Sequence, residues 1–230
     1  SYICMDSPQQ AGDVALFMSL ANRLREAEVH APKIFAIETL KGFLLLEDFG
    51  ELMFKQLLTI ESGQQLFDCI MPVLANLARC DSAELPDYSV AKLQAELDLF
   101  PQWYVAPRTG LPAESLLEDR RWQQFCRLLT EQATGQPQVL VHRDFHSCNL
   151  HRLAHGEVGV IDFQDAVRGP LTYDLASWLW DRYVAWSRDD IERWTEQARR
   201  CLAPEVEPSE WIRYCAVSYT HLRAHETPIN

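Results

Sequence analysis

Residues 139–166 read VLVHRDFHSCNLHRLAHGEVGVIDFQDA, and the reading of this stretch decides the fold. It packs four of the chain's seven histidines (His142, His146, His151, His155) and three aspartates (Asp144, Asp162, Asp165) between apolar runs. The run QVLV predicts a strand that delivers a polar loop, HRDFHSCN, while NLHRL and VGVIDF predict a hairpin turning at AHGE. Folded in that way, Asp144, Asn149 and Asp162 converge at one end of the hairpin. A carboxylate that takes a proton from a hydroxyl, with oxygen ligands for a divalent cation, is what phosphoryl transfer from ATP requires. The histidines also raise a zinc site, which asks for three or four convergent ligands. The hairpin would splay His151 and His155 away from the loop. His142 is read as bracing the loop from a buried position, and His146 as bracing it or facing the phosphates.

The rest of the chain bounds the alternatives. With 230 residues, 47% of them hydrophobic and 10% aromatic, it can bury a large core. Its formal net charge of −12 opposes a nucleic-acid backbone or an anionic membrane surface. No apolar run approaches the roughly 20 residues that span a bilayer. Neither nucleic acid nor membrane is an expected partner, and nothing implies a protein partner. Seven scattered cysteines without a CxxC pair point to reduced thiols and a cytoplasmic location.

Outward from the loop, the periodicity changes twice. SYICMD is strand-like and has no initiator methionine, so the chain is expected to begin inside a small lobe, with the pairing partner of this strand missing. VALFMSLANRLREAE predicts a helix capped by Asp13. KIFAI and GFLLLEDFG predict strands. After Gly50 the pattern is helical: Leu66, Ile70, Leu74 and Leu77 make one stripe, which Pro72 should kink or restart. Ser89 can cap a helix with Leu93, Leu97 and Phe100 in register, and Trp122, Phe125 and Leu129 mark another. DLASWLWDRYVAW and DIERWTEQARRCL continue the helical pattern. The order predicts an α+β protein: a small, incomplete strand-bearing lobe over residues 1–50, then a larger, mainly helical lobe over 51–216 with the hairpin at its centre. Residues 217–230, VSYTHLRAHETPIN, break the helical pattern and resemble translated sequencing-adapter tails. No site is assigned to His221 or His225.

Asn149 lies five positions after Asp144, the spacing of H-R-D-x-x-x-x-N in protein kinases, and DFQ stands where those enzymes have D-F-G. HRDFHSCNL, VIDFQDAVRGPLTYDLAS and GFLLLEDFG resemble the aminoglycoside phosphotransferase family, over roughly residues 1–214. With LPDYSVAKLQAELDLFPQWYV they are most similar to the members that phosphorylate the anomeric hydroxyl of N-acetylmuramate and N-acetylglucosamine. The resemblance implies a two-lobed protein-kinase-like fold and transfer of phosphate from ATP, with Mg2+, to a sugar hydroxyl. It implies Asp144 as catalytic base and Asn149 and Asp162 as magnesium ligands. It further implies Asp174, in TYDLAS, as a buried support of the loop alongside His142 and Arg143. Adenine is expected at Glu47, Asp48 and Phe49, where a strand end presents a backbone donor and acceptor. For the acceptor, Asp98, Trp103 and Tyr104 offer carboxylate and aromatic faces to a sugar ring, or simply a core cluster at a helix end. Asp165 and Arg168 could also reach the acceptor, Arg168 pairing with a carboxylate such as the lactyl group. The strand lysine of V-A-I-K is absent, with Met5 at its place. Aminoglycoside, choline and homoserine kinases share these motifs; a nucleotide-binding pseudokinase and a zinc-dependent hydrolase are readings of other classes.

Overall fold

The structure, a computed structural model, describes residues 1–6, 11–39 and 41–225, with backbone alone at residues 11–13, 155 and 225. Three short strands form an antiparallel sheet in the order β1–β3–β2, of which the central β3 alone alternates in burial: β1 (Tyr2–Asp6), β2 (Ile34–Glu38) and β3 (Phe43–Glu47). β1 pairs directly with β3, Tyr2 opposite Glu47 and Met5 opposite Leu44. The strand expected to lack its partner therefore has one. α1 (Ala11–Glu26) buries Phe17, Leu20 and Leu24 in the same core as Leu44 and Leu46 of β3. Asp13 lies within this helix rather than ahead of it, and its side chain, the expected cap, is outside the described ones.

Beyond Gly50 the chain is mainly helical. α2 (Phe54–Leu57) is a single turn, and α3 (Gly63–Arg79) runs unbroken through Pro72. A proline inside a helix costs about 3 kcal/mol. Burial of Leu66, Ile70, Leu74 and Leu77 along one face keeps both halves of α3 in line. α4 (Val90–Leu97) is capped by Ser89, whose hydroxyl accepts the Lys92 amide at 3.2 Å. A π-helical turn (Pro101–Val105), α5 (Ala106–Thr109) and α6 (Ala113–Leu117) lead to α7 (Arg120–Thr134), capped by Asp119.

The expected strands follow as β4 (Gln138–Val141), β5 (Leu150–Arg152) and β6 (Val158–Val160), with β5 and β6 forming the hairpin. A further strand, β7 (Val167–Pro170), which the sequence pattern did not mark, pairs antiparallel with β4. α8 (Tyr173–Leu179) stops where a longer helix was expected, and α9 (Arg188–Leu202) begins a separate one. Asp181 makes the break, its carboxylate accepting the Tyr183 amide at 3.0 Å. α10 (Pro208–His225) continues past Val217, so the expected break in helical pattern is absent. Val217, Ser218, His221 and Leu222 fall on its buried side. Residues 226–230 lie outside the described ones.

One apolar core runs from α1 and β3 through α3 and the hairpin to α8 and α9. The Phe17 and Phe163 rings, 4.8 Å apart, join α1 to the segment after β6 within it. A second core, with Tyr88, Leu93, Leu97, Cys126, Val141 and Tyr173, joins α4 and α7 to the β4–β7 ladder and α8. Among the described residues, no helix is long and apolar enough to cross a membrane.

Candidate active site

β4 ends at Val141 and feeds the loop HRDFHSCN, whose amides lack a strand partner and must be satisfied otherwise. Two buried aspartates do this. Asp174, in the first turn of α8, accepts the His142 amide at 2.7 Å and the Arg143 amide at 3.0 Å. Asp181, just beyond α8, accepts the Ser147 amide at 2.7 Å. Burial pushes Asp174 up to about 7, against the downward pull of its two amide bonds. The His142 ring is also fully buried, which lowers its pKa to about 4 and keeps it neutral. Its Nε2 lies 2.9 Å from the Ile161 carbonyl oxygen, which can only accept, so Nε2 carries the proton. His142 thereby ties the loop to the strand end before Asp162. Arg143 and Asp162 have φ of +78° and +65°, left-handed backbone that costs a non-glycine residue roughly 1–2 kcal/mol.

On this frame Asp144 is half-buried, with Asn149 bonded to its backbone carbonyl and Asp162 next to Asn149. The Asn149 Nδ2 donates to the Asp144 carbonyl oxygen at 2.9 Å and lies 3.4 Å from Asp162 Oδ2. Gln164 Nε2 donates to Asp162 Oδ1 at 2.6 Å. The amide nitrogen of Asn149 is thus occupied, leaving its Oδ1 for a cation next to an exposed carboxylate. A carboxylate and an amide oxygen are hard donors of the kind magnesium takes together with phosphate and water. Among the described residues, no three His, Cys, Asp or Glu side chains gather as a metal-holding group. The histidines do other work: His142 holds a carbonyl, and His151 packs 5.9 Å from the Phe49 ring.

A cleft of about 700 Å³ brings Asn149 and Asp162 opposite the end of β3, with Glu47, Asp48, Phe49 and Gly50 on its wall. The Asp48 carboxylate accepts the Gly50 amide at 2.8 Å, and Glu47 Oε2 accepts the Lys33 amide at 3.0 Å. The Asp48 carboxylate is turned to local backbone, and that of Glu47 also faces Arg25 at 4.0 Å and His30 at 3.7 Å. Phe49 rests on Gly159 of β6, where an added Cβ would come within 2.7 Å of its ring. Cys4 and Met5 of β1, the strand paired with β3, also line it, and no lysine or arginine is among the described residues lining the cleft.

The residues read as acceptor contacts fall elsewhere. Asp98 ends α4 and takes the Gln94 side-chain amide at 2.8 Å. Trp103 is 52% exposed, outside the stack that Phe100 makes with Tyr104 and Trp122. Arg168 pairs with Asp87 at 3.4 Å, and Asp165 is exposed. None of the four lines the cleft. Sequence reasoning missed Asp181 and Glu96. Asp181 had a signal, being an acid seven residues after Asp174 at the end of the mostly apolar run LASWLW. Glu96 Oε1 pairs with Arg143 Nη2 at 2.8 Å while its other oxygen accepts the Tyr88 hydroxyl and lies 3.0 Å from His221 Nε2. It looked like a surface acid on a helix, and nothing local marked it.

A model of the phosphotransferase enzyme family matches residues 1–206. An N-acetylmuramate/N-acetylglucosamine kinase of Pseudomonas aeruginosa is 40% identical over 189 residues, covering 81% of this chain and 55% of that protein. A kinase of the same name from Pseudomonas putida is 36% identical over 195 residues, with 84% and 57% covered. One from Neisseria meningitidis is 32% identical over 237 residues, with 97% and 69% covered. The chain thus spans a little over half the length of the two Pseudomonas relatives. Among solved structures, an aminoglycoside phosphotransferase of Streptomyces rimosus in complex with ADP and streptomycin aligns with a TM-score of 0.66 at 15% identity, over 96% of this chain and 86% of that one. An ethanolamine kinase of Plasmodium vivax aligns at 0.69 and 14%, over 97% and 68%. At such identity the likeness is one of fold, the α+β arrangement of the protein-kinase-like proteins.

Proposed function

Because the chain belongs to the phosphotransferase enzyme family, we propose that its site serves transfer of the γ-phosphate of ATP to the anomeric hydroxyl of an amino sugar, N-acetylmuramate or N-acetylglucosamine. The observation that carries this reading is the meeting of Asn149 and Asp162, beside Asp144, with the end of β3 across one cleft. We assign the adenine edge to the backbone of residues 47–49, with the donor at Asp48 or Phe49 because the Glu47 amide already donates to the Lys33 carbonyl at 2.8 Å. Asp162 and the Asn149 Oδ1 would hold magnesium, which when bound neutralises phosphate charge. Asp144 orients the acceptor hydroxyl and takes its proton as the oxygen attacks phosphorus. Asp174, Asp181 and His142 keep the loop that bears it in place. The choice of amino sugar rests on the N-acetylmuramate/N-acetylglucosamine kinases to which this chain is similar. The four residues read as acceptor contacts, Asp98, Trp103, Asp165 and Arg168, remain proposals for the sugar side.

The test is magnesium-dependent transfer from ATP to each of the two sugars, with Asp144→Asn alongside. That change should lower kcat by roughly 10²–10⁴-fold and leave nucleotide affinity within a few-fold of the parent. Transfer that survives it would overturn the assignment of the base. A second reading, a nucleotide-binding protein without transfer activity, is favoured by one observation: Met5 lines the cleft and, among the described residues, no lysine or arginine does. Binding of ATP with no transfer to any hydroxyl acceptor would support that reading instead.

A further inference from the structure

The loop that carries Asp144 is anchored on both sides, and the two anchorages differ. From α8, Asp174 and Asp181 hold backbone amides. From α4, which packs in the second core, Glu96 reaches in. Glu96 is 8% exposed and pairs with the Arg143 guanidinium at 2.8 Å, the residue directly before Asp144 and in left-handed backbone. A residue held at an unfavourable φ stays there only while its surroundings over-determine it. Here the Arg143 amide is fixed by Asp174 and its side chain by Glu96. The Tyr88 hydroxyl donates to the other oxygen of Glu96 and lies 3.2 Å from the Tyr173 hydroxyl, in the first residue of α8. The Arg143 guanidinium also lies 5.5 Å from the centre of the Tyr88 ring. Glu96 therefore sits in a buried polar network that spans α4, the loop and α8.

We propose that Glu96 is a positioning residue for the transfer reaction: through Arg143 it fixes the backbone that aims Asp144 at the acceptor hydroxyl. The proposal rests on the kinase reading above and adds a part to it. α4 opens the helical region that contains Asp98 and Trp103, so the same pair ties that region to the base. Displacing a reacting group by about 1 Å can cost about 100-fold in rate, and loosening Arg143 acts on the position of Asp144 rather than on the nucleotide cleft, which Glu96 does not line.

Glu96→Gln keeps the shape and the bond to Tyr88 while removing the charge that holds Arg143. The expected result is a fall in kcat of roughly 10- to 100-fold, KM for ATP within about twofold, and faster amide hydrogen exchange at Arg143 and Asp144 with exchange in α8 unchanged. Tyr88→Phe, which spares the ion pair, should move kcat far less, and Glu96→Gln combined with Arg143→Met should be no slower than Arg143→Met alone. Unchanged kcat and unchanged loop exchange in Glu96→Gln would overturn the proposal. So would an equal loss of ATP affinity and exchange protection throughout the chain, which is what mere structural support gives. Should the parent itself show no transfer, the kinase reading fails and the exchange measurement alone decides whether Glu96 holds the loop.

Discussion

His142 shows how much one buried ring contributes. Its pKa is lowered to about 4 by burial, from an ordinary value of about 6.5. A histidine whose folded value lies below its unfolded one takes up its proton more readily when unfolded, so the contribution of the neutral ring is complete above about 6.5 and is lost as pH falls toward 4. The most it can contribute is ~3 kcal/mol. As pH falls from 7 to 4, the urea midpoint of the parent should therefore fall relative to that of His142→Gln, which can still donate to the Ile161 carbonyl; Asp174, raised to about 7, acts in the opposite sense in both proteins. Parallel curves for the two proteins would sink this account. The HRD and DFQ motifs made His142, Asp144, Asn149 and Asp162 legible in the sequence, because their spacing along the chain is the geometry of the loop. Glu96 was not legible: its partner lies 47 positions away, and only the packing of α4 against the loop brings the two together.

Among the elements, the β5–β6 hairpin is the one on which the cleft depends. Gly159 of β6 lets the Phe49 ring lie against the strand, and Phe49 in turn shapes the wall opposite Asp162. Gly159→Ala would force that ring aside. Overpacking of this kind costs about 1–3 kcal/mol. The variant should raise KM for ATP several-fold with kcat changed less, as measured by steady-state transfer, and unchanged nucleotide affinity would refute the role given to Phe49. The elements themselves were unevenly readable. β4, β5 and β6 follow from short runs with apolar residues, set between turn residues, whereas β7, VRGP, carries a glycine and a proline and offers no such pattern. Its place is set by the ladder with β4, Gly169 lying against Tyr88. The break after Leu179 escaped notice because Trp180, Tyr183 and Val184 keep an apolar rhythm, while the turn is made by a buried carboxylate. α10 and α3 show the converse, helices that packing carries through residues expected to end or bend them.

At the scale of the whole molecule, the sheet-bearing part and the helical part share one core. Phe17, 6% exposed, meets Phe163 within it. Phe17→Ala should cost about 3–5 kcal/mol and lower a single unfolding transition seen alike by tryptophan fluorescence and far-ultraviolet circular dichroism. Two separated transitions would show that the parts fold independently. The second core, under α4 and α7, carries the buried network around Glu96, so damage there should reach the loop before it reaches the cleft.

The cysteines give the cleft a property unconnected with transfer. None of the seven is in a disulfide; Cys80, Cys126 and Cys215 are buried, and burial pushes Cys215 up to about 12. Cys4, by contrast, is exposed and stands on the cleft wall. An alkylating reagent reaches it only while that wall is open, so a nucleotide seated against β1 slows its modification while leaving the exposed Cys201 reacting at the same pace. The ratio of the two labels is an internal gauge of occupancy that needs no acceptor and no turnover.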